Sequence, residues 1–441
     1  MRERSLKWVL LAEMALSALY MALTRSVFLI YLADLGLNLS GVSYVSIWGG
    51  ALTLSVGAYA YRRPRAISRR VRLKLLASHL LERICWIPIA LGKTVVVVAA
   101  AYSAYSAFQA LTTLGMNLVI FGSFDEEGVQ DVVAGRISSG AAASIVGMIL
   151  STGLLSLLKG PEKFEVIFFL GSGLGVLSTG LLATQDLSHL EGIKVPERVR
   201  EGERIFAASA YQLALASSGA LFSMSWIPYL IRVVNYPDYL VAAMTLVGTA
   251  TSMFGAPIWR RIDPRRYKLG VLINAMTPVL VPLSPLPVVQ FGLYAAAAFS
   301  FNAASLLGTY LFAKYNRWLG SVRSSALTLA ISGAAQLGAS GLGLFLGSSF
   351  ELAFALAAAL KFAALALSAL IVPEVAVVPP HLAKAYANAA YGATLMGYRV
   401  SVAITRETLV ATLRMIALTL ALLTLYIIYR IAALLLTSGV S

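Results

Sequence analysis

Charge is what this sequence has least of. Only 12% of its 441 residues are charged, about half the share of a soluble domain. Acids are scarcer than bases, 20 against 35, for a formal charge of +15. Cys85 is the single cysteine, which excludes an internal disulfide and a thiolate metal cluster. The three histidines, His79, His189 and His381, are far apart and show no ligand spacing. A GxxxxGKS/T loop, an HExxH pair and a GxSxG elbow are all missing, so the chain carries no signature of an enzyme. Neither a cofactor nor a metal is expected. Segments of about ten residues with alternating polarity are also absent, which excludes a membrane barrel.

Apolar residues make up 59% of the chain, and they fall in runs of about 20 residues, the length that crosses a bilayer as helix. The expected fold class is all-α, a polytopic helical membrane protein. Spans are expected at about 7–33, 41–60, 73–91, 95–121, 137–158 and 164–184, then at about 206–231, 238–258, 268–284, 287–313, 324–347 and 350–372. A thirteenth is expected at about 409–436. The basic N-terminus before the first run is not a removable leader, because the run is long, contains Glu13 and Arg25 and lacks a cleavage site.

The basic residues cluster in links on one side. Gly57 to Lys74, GAYAYRRPRAISRRVRLK, packs about seven cations behind the second run, and Gly255 to Lys268, GAPIWRRIDPRRYK, repeats the pattern behind the eighth. The N-terminus, the even-to-odd links and the 373–408 tail hold about 26 Lys and Arg, and the opposite links about 4. That asymmetry places the N-terminus in the cytoplasm of a cell membrane and, with 13 spans, the C-terminus outside. The charge therefore meets anionic lipid headgroups, and nucleic acid is not expected as a partner. The repetition extends further. Arg136 opens the fifth span as Arg323 opens the eleventh, and Ala18-Leu19-Tyr20 matches Ala220-Leu221-Phe222. The chain reads as a six-plus-six duplication: 1–184, a cytoplasmic linker at 185–205, 206–372, and a 373–441 tail with the extra span.

This organisation resembles the major facilitator superfamily over about residues 1–372. The two basic links resemble its loop motif, Gly-x-Leu-Ala-Asp-Arg-x-Gly-Arg-Arg. Gly57 and Arg62 match in the first, and Gly255 and Arg260 in the second. Arg63 and Arg261 complete the Arg pairs, and these six residues are the expected gating loops. Tyr61 and Trp259 stand where the family has an acid that steadies one state of the cycle. Thr24 to Ser46 also resembles the exit of the family's first span. The tail and thirteenth span lie outside the family pattern.

The resemblance implies that spans 1, 4, 7 and 10 line a central cavity, and helical spacing gives each a polar and aromatic stripe. These are Glu13, Ser17, Tyr20, Thr24 and Tyr31; Tyr102, Tyr105, Gln109 and Thr112; Tyr211, Ser218, Phe222, Ser225 and Tyr229; and Tyr294, Phe301, Ser305 and Thr309, with Asn302 beside them. The expected substrate-binding set is Glu13, Tyr20, Thr24, Arg25, Tyr105, Gln109, Phe222, Ser225, Tyr229, Tyr294, Asn302 and Ser305. The same stripes also suit close packing between helices. Glu13 reads either as a proton carrier or as half of a salt bridge, and Arg25 either as an anion anchor or as a cation reaching for the surface. His79, Glu82 and Arg83 read as mutually neutralising. Lys361, midway along span 12 with no acid near it, is expected to be shielded from lipid by Thr419, Thr424 or Tyr426 of span 13. Pro278, Pro282, Pro285 and Pro287 are expected to break helix around the turn between spans 9 and 10.

Two functions fit. One is a secondary transporter that moves a small amphipathic or anionic solute by alternating access, with proton coupling open. The other is a non-transporting, transporter-derived subunit that assembles with other membrane subunits. The acidic run Asp125 to Asp131 reads as a solvated loop rather than a metal site.

Overall fold

The computed structural model describes residues 2–92, 94–191, 203–262 and 266–370. The tail and the thirteenth span, with Thr419, Thr424 and Tyr426, lie outside the described residues.

Fourteen α-helices follow one another among these residues, with no strand. The first half comprises α1 (Arg2–Leu23), α2 (Arg25–Asp34), α3 (Leu39–Arg62), α4 (Pro64–Ser68), α5 (Val71–Ile84), α6 (Trp86–Leu91), α7 (Val95–Ser123), α8 (Glu126–Leu157) and α9 (Glu162–Ala183). The second comprises α10 (Glu203–Arg232), α11 (Asp238–Arg260), α12 (Tyr267–Leu280), α13 (Pro287–Leu346) and α14 (Phe350–Leu370). Span 1 is thus α1 and α2, broken at Thr24, and span 3 is α5 and α6, broken at Cys85. Among the described residues nine helices are long and apolar enough to cross a membrane, and Tyr267–Leu283 is a shorter apolar one.

Local chemistry sets the boundaries. Asn38 caps α3 by accepting from the Gly41 amide at 3.0 Å, and Asp125 caps α8 by accepting from Gly128 at 2.8 Å. Asp125 therefore works as a helix cap, while Asp131 pairs with Lys7. Spans 10 and 11 form the single run α13. Its 60 residues would stretch about 90 Å as straight helix, three bilayer cores, so an interruption is required. Gly320 supplies it at φ 70°, a conformation open to glycine. Pro278 does not end its helix as expected. α12 runs through it to Leu280, and a 3₁₀ turn, Val281–Leu283, follows.

The halves meet along two seams. On one, α3 lies against the second part of α13, backbone nearly touching backbone. A Cβ added to Gly50 or Gly57 would fall 2.6 Å from the amide nitrogen of Leu337 or Ala330. Close approach of this kind is how small residues bring membrane helices together. The Ser40 amide donates to Gly347 O at one end of this seam, and Asn117 of α7 donates to Ser325 at the other, 3.0 and 2.9 Å. On the other seam α8 packs on α11, with Thr245 beside Met148.

Candidate functional site

The apolar core is arranged asymmetrically across the membrane. On the face away from the basic links it is one body. Leu23, Phe28 and Leu32 of span 1, Trp86 and Phe168 share it with Leu221, Trp226 and Leu230 of α10, Val241 of α11 and Phe354 of α14. On the basic face there are two bodies. One belongs to the first half, with Leu10, Leu75 and Leu118, and is joined by Val322 and Ala326 of α13. The other belongs to the second half, with Tyr211, Trp259, Ala304 and Phe362. The halves share one apolar body at one face, while at the other each keeps its own, the two bridged through Tyr61, Val322 and Ala326. Lys163 at the start of α9 reinforces the closed face: it pairs with Asp238 of α11 and, at 3.4 Å, with Asp34 of α2.

Span 1 carries two different polar sites. The lower one is buried inside the first half. Glu13 accepts from Arg136 at 2.7 Å and from Ser17 at 2.6 Å, and its Oε1 lies 3.1 Å from His79 Nε2. Arg83 donates to Glu82 at 2.5 Å and to Ser17 at 3.0 Å, while His79 Nδ1 meets Thr179 at 2.7 Å. Two carboxylates and two guanidiniums balance around one imidazole. Glu13 is thus a salt-bridge partner enclosed by its own bundle, not an open wall residue. Glu82 pairs with Arg83 as the sequence suggested. His79 turns to Glu13 instead.

The upper site surrounds the break. Thr24 is buried and donates to Tyr20 O at 2.8 Å. Tyr20 is buried too: it accepts from Trp86 at 2.6 Å, and the Arg83 guanidinium lies 4.9 Å from its ring. Arg25 is exposed although Leu23, Thr24, Val27 and Phe28 around it are buried. Tyr105, Tyr102, Glu82 and Tyr20 lie within electrostatic range of its guanidinium. Phe28 stacks on Tyr102 at 4.5 Å, and Tyr102 and Tyr105 are 5.6 Å apart. Gln109 follows one turn on, half-buried.

The opposing wall is aromatic. Tyr294 of α13 is half-buried and stacks on Trp226 at 4.0 Å, and Trp226 leans on Phe222 at 4.7 Å. Tyr229 packs edge-on to Phe354 at 5.3 Å. Ser225 is buried and donates to Leu221 O in its own helix. Asn302 exchanges two hydrogen bonds with Ser252, both 2.9 Å, which ties α13 to α11. Ser305 is half-buried on the same helix. Of the expected set, then, Arg25 is exposed and Gln109, Tyr294, Asn302 and Ser305 are half-buried. Glu13, Tyr20, Thr24, Ser225 and Asn302 are taken up by bonds within a half.

No protein-family profile and no curated protein sequence matches this chain. Solved structures do. A bacterial homolog of the human lysosomal transporter Spinster, inward-facing and occupied, superposes with a TM-score of 0.58 over 82% of this chain and 97% of its own, at 14% identity. A POT family transporter in complex with a thioalcohol-conjugated peptide gives 0.64 over 82% and 96%, at 11% identity. The nucleoside transporter NupG gives 0.59 over 83% and 98%, at 12% identity. This is the major facilitator fold. The chain is a multi-pass helical membrane protein.

Within the major facilitator fold the two loop motifs have unlike surroundings. Gly57 is pressed against α13 across the seam, whereas Gly255 faces Phe299 and Asn302 inside its own half. Arg62, Arg63 and Arg261 are exposed, and Arg260 is the last residue of α11. The aromatics in the acid positions belong to the cores. Trp259 is buried and donates to Phe299 O at 2.8 Å, and Tyr61 packs against both basic-face cores.

Lys361 is a correction. It does not face outward toward a thirteenth helix. It points into the second half, where its ammonium donates to Asn274 O at 3.1 Å and lies 4.4 Å from the centre of the Phe222 ring. Two sequence signals bear on this. Pro278 has no N–H, so it leaves the carbonyl four residues back, Asn274 O, without its helical donor. The repeat pairs Phe222 with Tyr20, and each ring carries a cation. The network partner Arg136, 123 residues from Glu13, had no signal linking it to that acid.

Proposed function

We propose that this chain is a secondary transporter that carries a small solute across a cell membrane by alternating access, with its basic face in the cytoplasm. The observation that carries the reading is the asymmetry of the core: one body shared by the halves at the closed face, and two bodies bridged through α3 and α13 at the other. A binary arrangement of this kind is one end state of two rigid halves rocking about a fixed site. The small-residue seam between α3 and α13 suits such sliding. The named structural neighbours are transporters, one of them inward-facing. In this reading Arg25, Tyr105, Gln109, Phe222 and Tyr294 form the solute site, and drive comes from the solute's own gradient or from protons.

The first test is uptake into proteoliposomes with and without a pH gradient. Signal over empty liposomes supports transport, and stimulation by an inward proton gradient assigns proton coupling. The aromatic residues at both loop acid positions favour a second reading, a non-transporting subunit. Its signature is the absence of uptake together with other membrane polypeptides that co-purify in stoichiometric amount.

A second test uses the Lys163–Asp238 clamp. In a Cys85→Ser background, cysteines at 163 and 238 joined by a reducible bifunctional thiol reagent should fall to background uptake and recover on reduction. Full uptake by the cross-linked protein rules out movement at this face.

A further inference from the structure

Arg25 has the chemistry of a ligand group, and among the described residues no hydrogen bond or ion pair of its guanidinium is found. A guanidinium deep in a membrane span is costly unless it meets a counter-charge or water. Among the described residues no carboxylate lies within ion-pair distance of Arg25. Glu82, the acid in its range, is held by Arg83 at 2.5 Å. Its other polar neighbours are tyrosines from two spans. The side chain is exposed at the start of α2, a helix that packs on α10 of the other half.

Two further features converge there. The Tyr105 hydroxyl, the first of Arg25's electrostatic neighbours, is buried with no hydrogen-bond partner among the described residues. A buried hydroxyl left unsatisfied costs about 1–3 kcal/mol, so its persistence points to an absent acceptor. The second feature is the break itself. The Thr24 amide bonds to Tyr20 O, the Val27 amide reaches only three residues back to Thr24 O, and the Thr24 side chain does not cap α2. α2 therefore begins inside the span, with the positive end of its dipole at the level of Arg25. Interrupted membrane helices present such ends to anions.

We propose that the break in span 1 is an oxyanion site. The Arg25 guanidinium and the Tyr105 hydroxyl donate to a carboxylate or phosphate group of the solute, and the positive end of α2 faces the same charge. The stacked pair Phe28 and Tyr102 flanks the anion, and the wall of Tyr294 and Trp226 takes the apolar remainder. The solute is then an amphipathic anion with a flat or hydrophobic body. This rests on the transporter reading for the word solute, but the site itself is a binding property.

Its test is therefore binding. The full chain, purified in uncharged detergent, is melted with increasing sodium benzoate, sodium phosphate or sodium chloride at constant ionic strength. The expected result is a saturable rise in melting temperature with benzoate or phosphate and none with chloride. Benzoate alone identifies a carboxylate solute, and phosphate alone a phosphorylated one. Arg25→Gln should abolish the rise, Arg25→Lys should weaken it, and Tyr105→Phe should raise the midpoint concentration about tenfold, the loss of one hydrogen bond to a charged group. Tyr105→Phe decides the matter if Arg25→Gln does not fold. Equal shifts in all three salts, or an unchanged midpoint in Tyr105→Phe, overturn the proposal. Anion binding without uptake of any anion keeps the site and removes the transporter. Uptake that survives Arg25→Gln, with no anion binding, does the reverse.

Discussion

Glu13→Ala should destabilise the protein by about 3–5 kcal/mol, the usual cost of removing one partner from a buried ion pair. The carboxylate is 2% exposed and is bonded to Arg136, to Ser17 and to the His79 ring. With it gone, Arg136 and Arg83 face Glu82 alone. A surplus positive charge is left in a largely buried site, where a lone charge in a span costs at least about 2.5 kcal/mol even on insertion scales. The loss should be strongly non-additive. Adding Arg136→Met removes the surplus charge, so the double variant should melt above Glu13→Ala alone. Glu13→Gln should fall between, because the amide oxygen still accepts from Ser17 while the charge is lost. Thermal unfolding of the purified chain in detergent measures all three. A Glu13→Ala protein within about 0.5 kcal/mol of the parent, the range of neutral surface changes, would show that the network holds nothing together.

The network also marks the limit of what could be read before the fold was seen. The stripe Glu13, Ser17, Tyr20, Thr24 lies along one side of the helix, as its spacing requires. What spacing cannot say is whether that side looks into its own bundle or into the gap between bundles. Both are interior to the protein, and both collect polar groups for the same reason. The stripe in fact faces its own bundle, and Arg25, one residue off it, is exposed. The duplication and the basic links were legible because they are patterns within short windows. The pairings Glu13 with Arg136 and Lys163 with Asp238 were not, because they join residues 123 and 75 positions apart. Lys361 misled for a related reason. In a helix where nearly every neighbour is apolar, no polar face marks which side is buried, and the outward reading was as natural as the inward one. The clue that would have corrected it sat on another helix, at Pro278.

Lys361 and Pro278 give the second large effect, expected as a coupling rather than as a single loss. Pro278 withholds the backbone donor that Asn274 O would receive in an unbroken helix, and the Lys361 ammonium supplies one at 3.1 Å. The same ammonium lies over Phe222, a cation–π contact worth about 0.5–2 kcal/mol. Lys361→Met removes a charge with no acid beside it, which favours the folded state. It also orphans a buried carbonyl, which opposes it by about 1–3 kcal/mol. Because these terms have opposite signs, the single variant is a poor test and the cycle is a good one. In a Pro278→Ala background the backbone itself donates to Asn274 O, so the carbonyl is satisfied whether or not Lys361 is present. Lys361→Met should then be more favourable by about 1–3 kcal/mol than in the parent chain. Additivity within about 0.5 kcal/mol would mean that the lysine is not the donor that the proline kink requires. The repeat sharpens the point. In the first half the ring at the matching position, Tyr20, takes its cation from Arg83 of α5, where Gly175 of α9 leaves room for the arginine stem. In the second half the cation comes from α14 itself. The two halves thus place a cation on the same ring of their first helix from different neighbours, and the second also uses that cation to donate to the carbonyl that Pro278 leaves without its helical donor.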